Sequence, residues 1–158
     1  MALTLLTFAG CGGGGPPAVK VVQGNGFRFS APAGWRVVRS GREVQAADGL
    51  QLVSVTRYPL LRRFRPALWP KVVPELDRAA SELAQQQNGT VRNMETVTIG
   101  GTQARRYDIE YTRDGKQLVE RIAFVLRDKT EYLLLCRYER GGSTDACDRL
   151  LTTFTLDA

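Results

Sequence analysis

Acid–base, nucleophilic and metal chemistry each need particular side chains, and this chain of 158 residues is sparing with them. It has no histidine, which removes the commonest general base and the commonest metal ligand together. Two acidic positions draw notice. Asp108 and Glu110 alternate along the strand-like run Thr102–Thr112 and could pose as a carboxylate pair. On an outward strand face opposite Arg121 they read better as a solvated charge ladder. Glu120 is less ordinary. A two-residue turn at Asp114-Gly115 sets Asp108 opposite Arg121, Tyr107 opposite Ile122 and Glu120 opposite Ile109, on the apolar face. A carboxylate there is either a functional group or a buried acid satisfied by a neighbouring Tyr or Arg, and the second reading is favoured. No phosphate-binding Gly-rich loop, GxSxG elbow, dinucleotide fingerprint or paired CxxC appears, so neither a metal nor a cofactor is expected.

Three cysteines remain. Cys136 shares a strand face with Tyr132, Leu134 and Tyr138. Cys147 belongs with Leu150, Leu151 and Phe154 to a helical stripe in STDACDRLLTTF, whose start Ser143 or Thr144 can cap. Both thiols therefore point toward one helix–sheet interface. In an exported protein they would form a disulfide; in a reducing compartment they would stay as buried thiols. Cys11 ends the run Phe8-Ala9-Gly10-Cys11, which resembles a bacterial lipobox after the short apolar segment MALTLLTFAG, although no Lys or Arg precedes that segment. The expected organisation is a signal peptide over 1–10, a lipid-bearing Cys11 with a Gly/Pro tether over 11–24, and a folded domain over 25–158. Four glycines and two prolines after Cys11 give the tether its character. Cysteine usage of one to acylate and two to pair favours export.

Charge is uneven. From Lys20 to Arg78 there are eleven basic and four acidic residues, and after that the signs nearly cancel. A basic half suits an acidic partner surface, but a solubilising excess is the favoured reading. Within it, Tyr58–Lys71 mixes Arg62, Arg63, Arg65 and Lys71 with Phe64 and Trp69, and Arg57 lies just before. Three prolines exclude a regular element across most of this stretch. It is a candidate binding patch for anionic lipid or a partner. The preferred alternative is a crossover whose apolar residues fold back on the core while the arginines stay wet. Cations are not interleaved with exposed aromatics in the manner of a nucleic-acid surface, and no nucleic-acid partner is expected.

The elements that must position these residues follow from periodicity. KQLVERIAFVLR is apolar on both alternating faces: Leu118, Ile122, Phe124 and Leu126 on one, Val119, Ala123 and Val125 on the other. It pairs with EYLLLCRYER in a hairpin that belongs mid-sheet with a helix layer above and below. Strands are expected at Phe27–Ser30, Trp35–Val38, Arg42–Ala46, Leu50–Arg57, Thr90–Ile99 and Thr102–Thr112, with Asp48-Gly49 as a hairpin turn. Val72, Val73, Leu76, Ala79, Ala80 and Leu83 keep helical spacing up to a stop at Asn88-Gly89, which with Thr90 also matches a glycosylation sequon. Pro74 fits the first turn only, so this helix should begin near Lys71 or later. The sheet is then mostly antiparallel, in an α+β chain.

Phe27-Arg28-Phe29-Ser30-Ala31-Pro32-Ala33-Gly34-Trp35, then Gly101-Thr102-Gln103-Ala104, then Tyr132–Cys136 followed by Cys147 and Leu150-Leu151-Thr152-Thr153-Phe154, occur in an order that resembles the PsbP-like domain, especially its LpqN-type actinobacterial lipoproteins. The resemblance covers about residues 25–156. It implies an α/β/α sandwich around a central antiparallel sheet. It implies no shared enzyme activity, since members act as binding or accessory proteins of membranes and cell envelopes. The expectation is an extracytoplasmic, lipid-anchored monomer binding a protein or ligand partner near the membrane. The alternative is a carrier or sensor of a small apolar ligand in a pocket between sheet and helices near Glu120.

Overall fold

The doubly apolar strand Lys116–Arg127 (β8) lies inside a seven-stranded sheet in the computed structural model, which describes residues 17–157. The other strands are Val19–Gln23 (β1), Phe27–Pro32 (β2), Arg36–Ser40 (β3), Glu43–Asp48 (β4), Gln51–Pro59 (β5), Thr90–Ile99 (β6), Thr102–Arg113 (β7), Thr130–Glu139 (β9) and Thr155–Leu156 (β10). The helices are Trp69–Gln86 (α1) and Asp145–Thr153 (α2). The large sheet runs β3-β4-β5-β9-β8-β7-β6, and each neighbouring pair is antiparallel. Its connections are two-residue hairpins except for one crossover. After β5 the chain passes through α1 to the far edge, then returns strand by strand until β9 pairs with β5. Asp114 and Gly115 both take positive φ, as a tight hairpin turn requires. The register they set places Asp108 opposite Arg121, Tyr107 opposite Ile122 and Glu120 opposite Ile109.

Both faces of β8 are covered. Leu118, Ile122, Phe124 and Leu126 meet Trp69, Leu76, Ala80 and Ala84 of α1, together with Tyr107, Ile109 and Tyr111. Val119, Ala123 and Val125 join Leu134, Cys136, Val53 and Val55 beneath Cys147, Leu150 and Phe154. The expected class, a mostly antiparallel sheet with one long and one short flanking helix, is what forms. The second layer holds more than a helix, however. A three-stranded sheet, β1-β2-β10, lies there with Val22, Phe27, Phe29 and Ala31 buried. Size explains it: nine helical residues span about 14 Å, whereas seven strands are about 29 Å across.

Several boundaries move. Val19–Gln23, expected within the tether, is strand β1 paired with β2. Helix α1 starts at Trp69, ahead of Lys71, and Pro74 sits inside it. Trp69 is nearly buried, and docking it outweighs the one backbone bond that Pro74 removes close to the helix start. The helix stops as expected. Asn88 is left-handed, and the N–H groups of Asn88 and Gly89 donate to Gln85 O and Ala84 O, the two bonds of a Schellman cap. The β4–β5 turn is Gly49-Leu50, one residue later than Asp48-Gly49, because Asp48 pairs with Gln51. Strand β5 continues to Pro59, paired with Thr130 at its end.

Candidate functional site

Glu120 projects from β8 onto the α1 face and is 7% exposed. Tyr111 of β7 donates its hydroxyl to Oε1 at 2.8 Å, and Gln87, just past the end of α1, donates Nε2 to Oε2 at 2.8 Å. Arg137, its cross-strand partner on β9, lies 3.8 Å away. Burial and the bond to Glu120 push the Tyr111 phenol up to about 12. Both carboxylate oxygens are thus engaged by groups from three elements. The arrangement ties strand, strand and helix end together.

Asp108 departs from the expected solvated ladder: it is 8% exposed. Arg121 grips it with two bonds, Nε at 2.7 Å and Nη2 at 3.1 Å, and Asn93 donates at 2.8 Å. Arg121 also reaches Asp148 of α2 at 3.6 Å. That side of the sheet lies under α2, which is why the position is not wet. Burial alone would raise the Asp108 carboxyl; Arg121 and Asn93 outweigh it and hold it below its usual range. Glu110 lies farther toward the open end, between Arg92 at 3.2 Å and Arg140 at 3.7 Å. Each acid has its own cation, so the two are not a catalytic pair.

A third carboxylate escaped notice. Asp77 of α1 accepts from Arg105 Nε at 2.9 Å and from the Tyr107 hydroxyl at 2.7 Å. Burial works against its charge, but these two donors lower it, and Tyr107 itself is pushed far up by burial and by Asp77. Its only trace in the sequence is an acid beside Leu76 in the helical stripe. Which strand lies under that helix is not readable from the stripe.

Cys136 of β9 and Cys147 of α2 form a disulfide, Cα–Cα 5.3 Å, with both residues buried. Cys11 lies outside the described residues.

The basic stretch does not form one surface. Arg62, Arg63, Arg65 and Lys71 are exposed, and Leu61 is fully exposed among them. Phe64 packs edge-on against Trp69, ring centroids 6.3 Å apart, and both join the α1 core. Arg57 faces the other side of the sheet, its guanidinium 5.8 Å from the centre of the Tyr132 ring. There it lines a cleft with Arg42 and Lys129, two cations that no sequence pattern singled out. Asn88 of the sequon is the left-handed residue ending α1. Among the described residues, no group of three or more His, Cys, Asp or Glu side chains is placed to hold a metal ion. No helix there is long and apolar enough to cross a membrane.

No family model matches the chain, and no curated protein matches it. Solved structures do. The solution structure of cyanobacterial PsbP (CyanoP) from Synechocystis superposes with a TM-score of 0.62 at 14% identity, over 94% of this chain and 98% of that one. A Bacteroides thetaiotaomicron structure gives 0.60 at 10% identity over 84% of this chain and 46% of that one, so the chain spans about half its length. LpqN, described as involved in cell envelope biogenesis of Mycobacterium tuberculosis, gives 0.47 at 12% identity, over 92% and 88%. The fold is PsbP-like. Identities this low carry architecture and not what is bound.

Proposed function

We propose that this chain is a non-catalytic lipoprotein of the cell envelope whose PsbP-like domain binds a partner near the membrane. The observation that carries the reading is how charge is distributed. Asp77, Asp108 and Glu120 are bonded inside the domain, whereas Arg42, Arg57 and Lys129 line one cleft and, like the exposed Arg62 and Arg65, stand in no ion pair among the described residues. The disulfide supports an oxidising compartment, and the lipobox-like segment before Cys11 supports an anchor.

The described chain enters at Pro17–Val19, beside Gln51 at the start of β5, while the cations surround Pro59 at its end. Those ends are about 26 Å apart. An anchor at Cys11 is eight residues from Val19, a reach of at most about 29 Å. On a leash of that length the cationic end is free to meet an acidic partner in the envelope.

The test is twofold. Palmitate labelling of the chain in cells should vanish in Cys11→Ala; labelling that persists overturns the anchor. Cross-linking in intact cells followed by affinity capture should recover one acidic partner that Arg62→Glu/Arg65→Glu loses; recovery unaffected by the charge reversal overturns the binding end.

A carrier of a small apolar ligand is the second reading. The feature that favours it is a cleft of about 290 Å³ lined by Leu60, Phe64, Leu68, Val72, Leu76 and Leu126. It lies away from Glu120, where such a pocket was expected. Glu131 sits at its wall with its carboxyl pushed up by burial. A native mass spectrum of protein from its own envelope that shows no retained small molecule ends this reading.

A further inference from the structure

Three segments far apart in sequence bring three cations to one cleft of about 220 Å³ at the end of the sheet away from the chain entry. Arg57 comes from β5. Arg42 comes from the turn between β3 and β4, and its carbonyl accepts the Arg57 backbone N–H at 3.1 Å. Lys129 comes from the turn between β8 and β9, and its carbonyl accepts the Leu60 N–H at 2.9 Å. Tyr58, Pro59 and Thr130 complete the lining. Backbone bonds thus fix both turns against β5, so the convergence is built into the fold.

No carboxylate lies among the lining residues, and none of the three cations has an ion-pair partner among the described residues. Arg57 is the telling member. Its guanidinium is held over the Tyr132 ring, and its Nε–H is buried without an acceptor. A buried charged donor left unbonded is costly, and native proteins rarely leave one without a use. No carboxylate occupies the rest of the Arg57 guanidinium among the described residues, so its terminal N–H groups are the ones open to an acceptor in the cleft.

We propose that this cleft binds a phosphate group, with Arg57 and Arg42 as guanidinium forks and Lys129 as a point charge. Two planar forks and an ammonium around a small open cleft match a tetrahedral oxyanion with several acceptor oxygens. The volume suits one phosphate and the start of its ester rather than a large ligand. The phosphate belongs either to a lipid headgroup or to a soluble or polymeric phosphoester. The site requires the fold and is independent of whether Cys11 is acylated, so its failure and that of the anchor are separable.

The test is an amide-resolved NMR titration of the full chain, disulfide formed, with inorganic phosphate, using chloride at matched ionic strength as control. Saturable shifts confined to Arg42, Arg57, Tyr58, Lys129 and Thr130 are expected. Arg57→Gln should weaken the phosphate affinity about tenfold or more, while Arg113→Gln, an exposed cation at the β7–β8 turn on the opposite end of the sheet, leaves it unchanged. Should Arg57→Gln lose its native spectrum, Arg42→Gln and Lys129→Gln carry the same expectation. Flotation with phosphatidylcholine vesicles, with and without phosphatidic acid, assigns the source. Binding to the acidic vesicles that Arg57→Gln loses identifies a headgroup site; saturable phosphate binding without flotation identifies a soluble or polymeric phosphoester. Shifts that fail to saturate, that spread equally over Arg62, Arg63 and Arg65, or that survive in all three cleft variants overturn the proposal.

Discussion

Reducing the Cys136–Cys147 bond should cost the domain about 3 kcal/mol. The two residues are 11 apart in sequence. Closing a loop of that size removes about 9 cal/mol/K of chain entropy from the unfolded state, or about 2.8 kcal/mol at 25 °C. Reduction changes almost no packed volume, so a cavity correction is not needed. For a domain of this length each kcal/mol is about 3–4 °C of Tm, and a fall of about 10 °C is expected. The loss should not be felt only globally. Helix α2 has nine residues, too few to hold itself together in water, and the disulfide is its one cross-link to β9 beyond the chain that joins them. Backbone amides of Asp145–Thr153 should therefore exchange with solvent faster in the reduced protein than amides of β7 and β8 do. The assay is urea unfolding of both redox forms followed by circular dichroism, with hydrogen exchange on each. Thiol counting of the oxidised, denatured chain should find none beyond that of Cys11, and full reduction should add two. Reduced and oxidised forms with stabilities within about 0.5 kcal/mol of each other, or no added thiols on reduction, would refute the reasoning.

Tyr111→Phe should destabilise the domain by about 1–3 kcal/mol in the same denaturation assay, because it takes a donor at 2.8 Å from a carboxylate that stays buried. The same substitution should flatten the alkaline limb of the stability profile. The Tyr111 phenol is raised to about 12 in the fold, so its contribution is whole below the unfolded value near 10 and disappears as pH rises through 12. At the acid end, Asp108 and Asp77 are held below their ordinary values. Their contribution is present above pH of about 4 and is lost as pH falls through the lower native values. Asp108→Asn should accordingly cost about 2–4 kcal/mol at pH 7, where it leaves the partly buried Arg121 with only Asp148 as a carboxylate partner, and progressively less as the pH falls through the native Asp108 value.

The parts of this fold that were legible in the sequence are those where one strand speaks for itself. Apolar residues on both faces of Lys116–Arg127 say that both faces are covered, and Asp114-Gly115 fixes the register that places Glu120 among Ile109 and its neighbours. The helical stripe and its Asn88-Gly89 end mark α1. What stayed hidden depends on pairing across distance. Val19–Gln23 is a strand because β2 lies beside it; Val19 and Val21 are themselves exposed, so its alternation gives no apolar face strong enough to announce it. The register of the last hairpin had no glycine to declare it, since Asp128 takes the left-handed turn position instead. Asp108 looks outward by alternation, and only the placement of α2 makes outward mean buried.

The same limit applies to charge, and it changes how the basic half should be understood. Composition treats an excess of cations as solubilising, because it cannot say which ones already have partners. In the sheet, the near-neutral half uses its charges on itself: Arg92 with Glu110, Arg106 with Glu95, Lys116 with Glu139 and Arg121 with Asp108 are all pairs between neighbouring strands of β6 to β9. Strands β3 to β5 and the stretch up to α1 have few acids to offer, and among the described residues only Arg63 of their arginines meets a carboxylate, Asp128 at 3.7 Å with both partners exposed. A purely solubilising excess would be dispersed over the surface, where its self-repulsion is smallest. Here antiparallel pairing of β5 with β9 brings the Arg57 end of the first half against the Lys129 turn of the second, concentrating like charges that would otherwise repel. That unneutralised cluster, Arg42, Arg57 and Lys129 around one cleft, is the observation on which the proposed phosphate site rests.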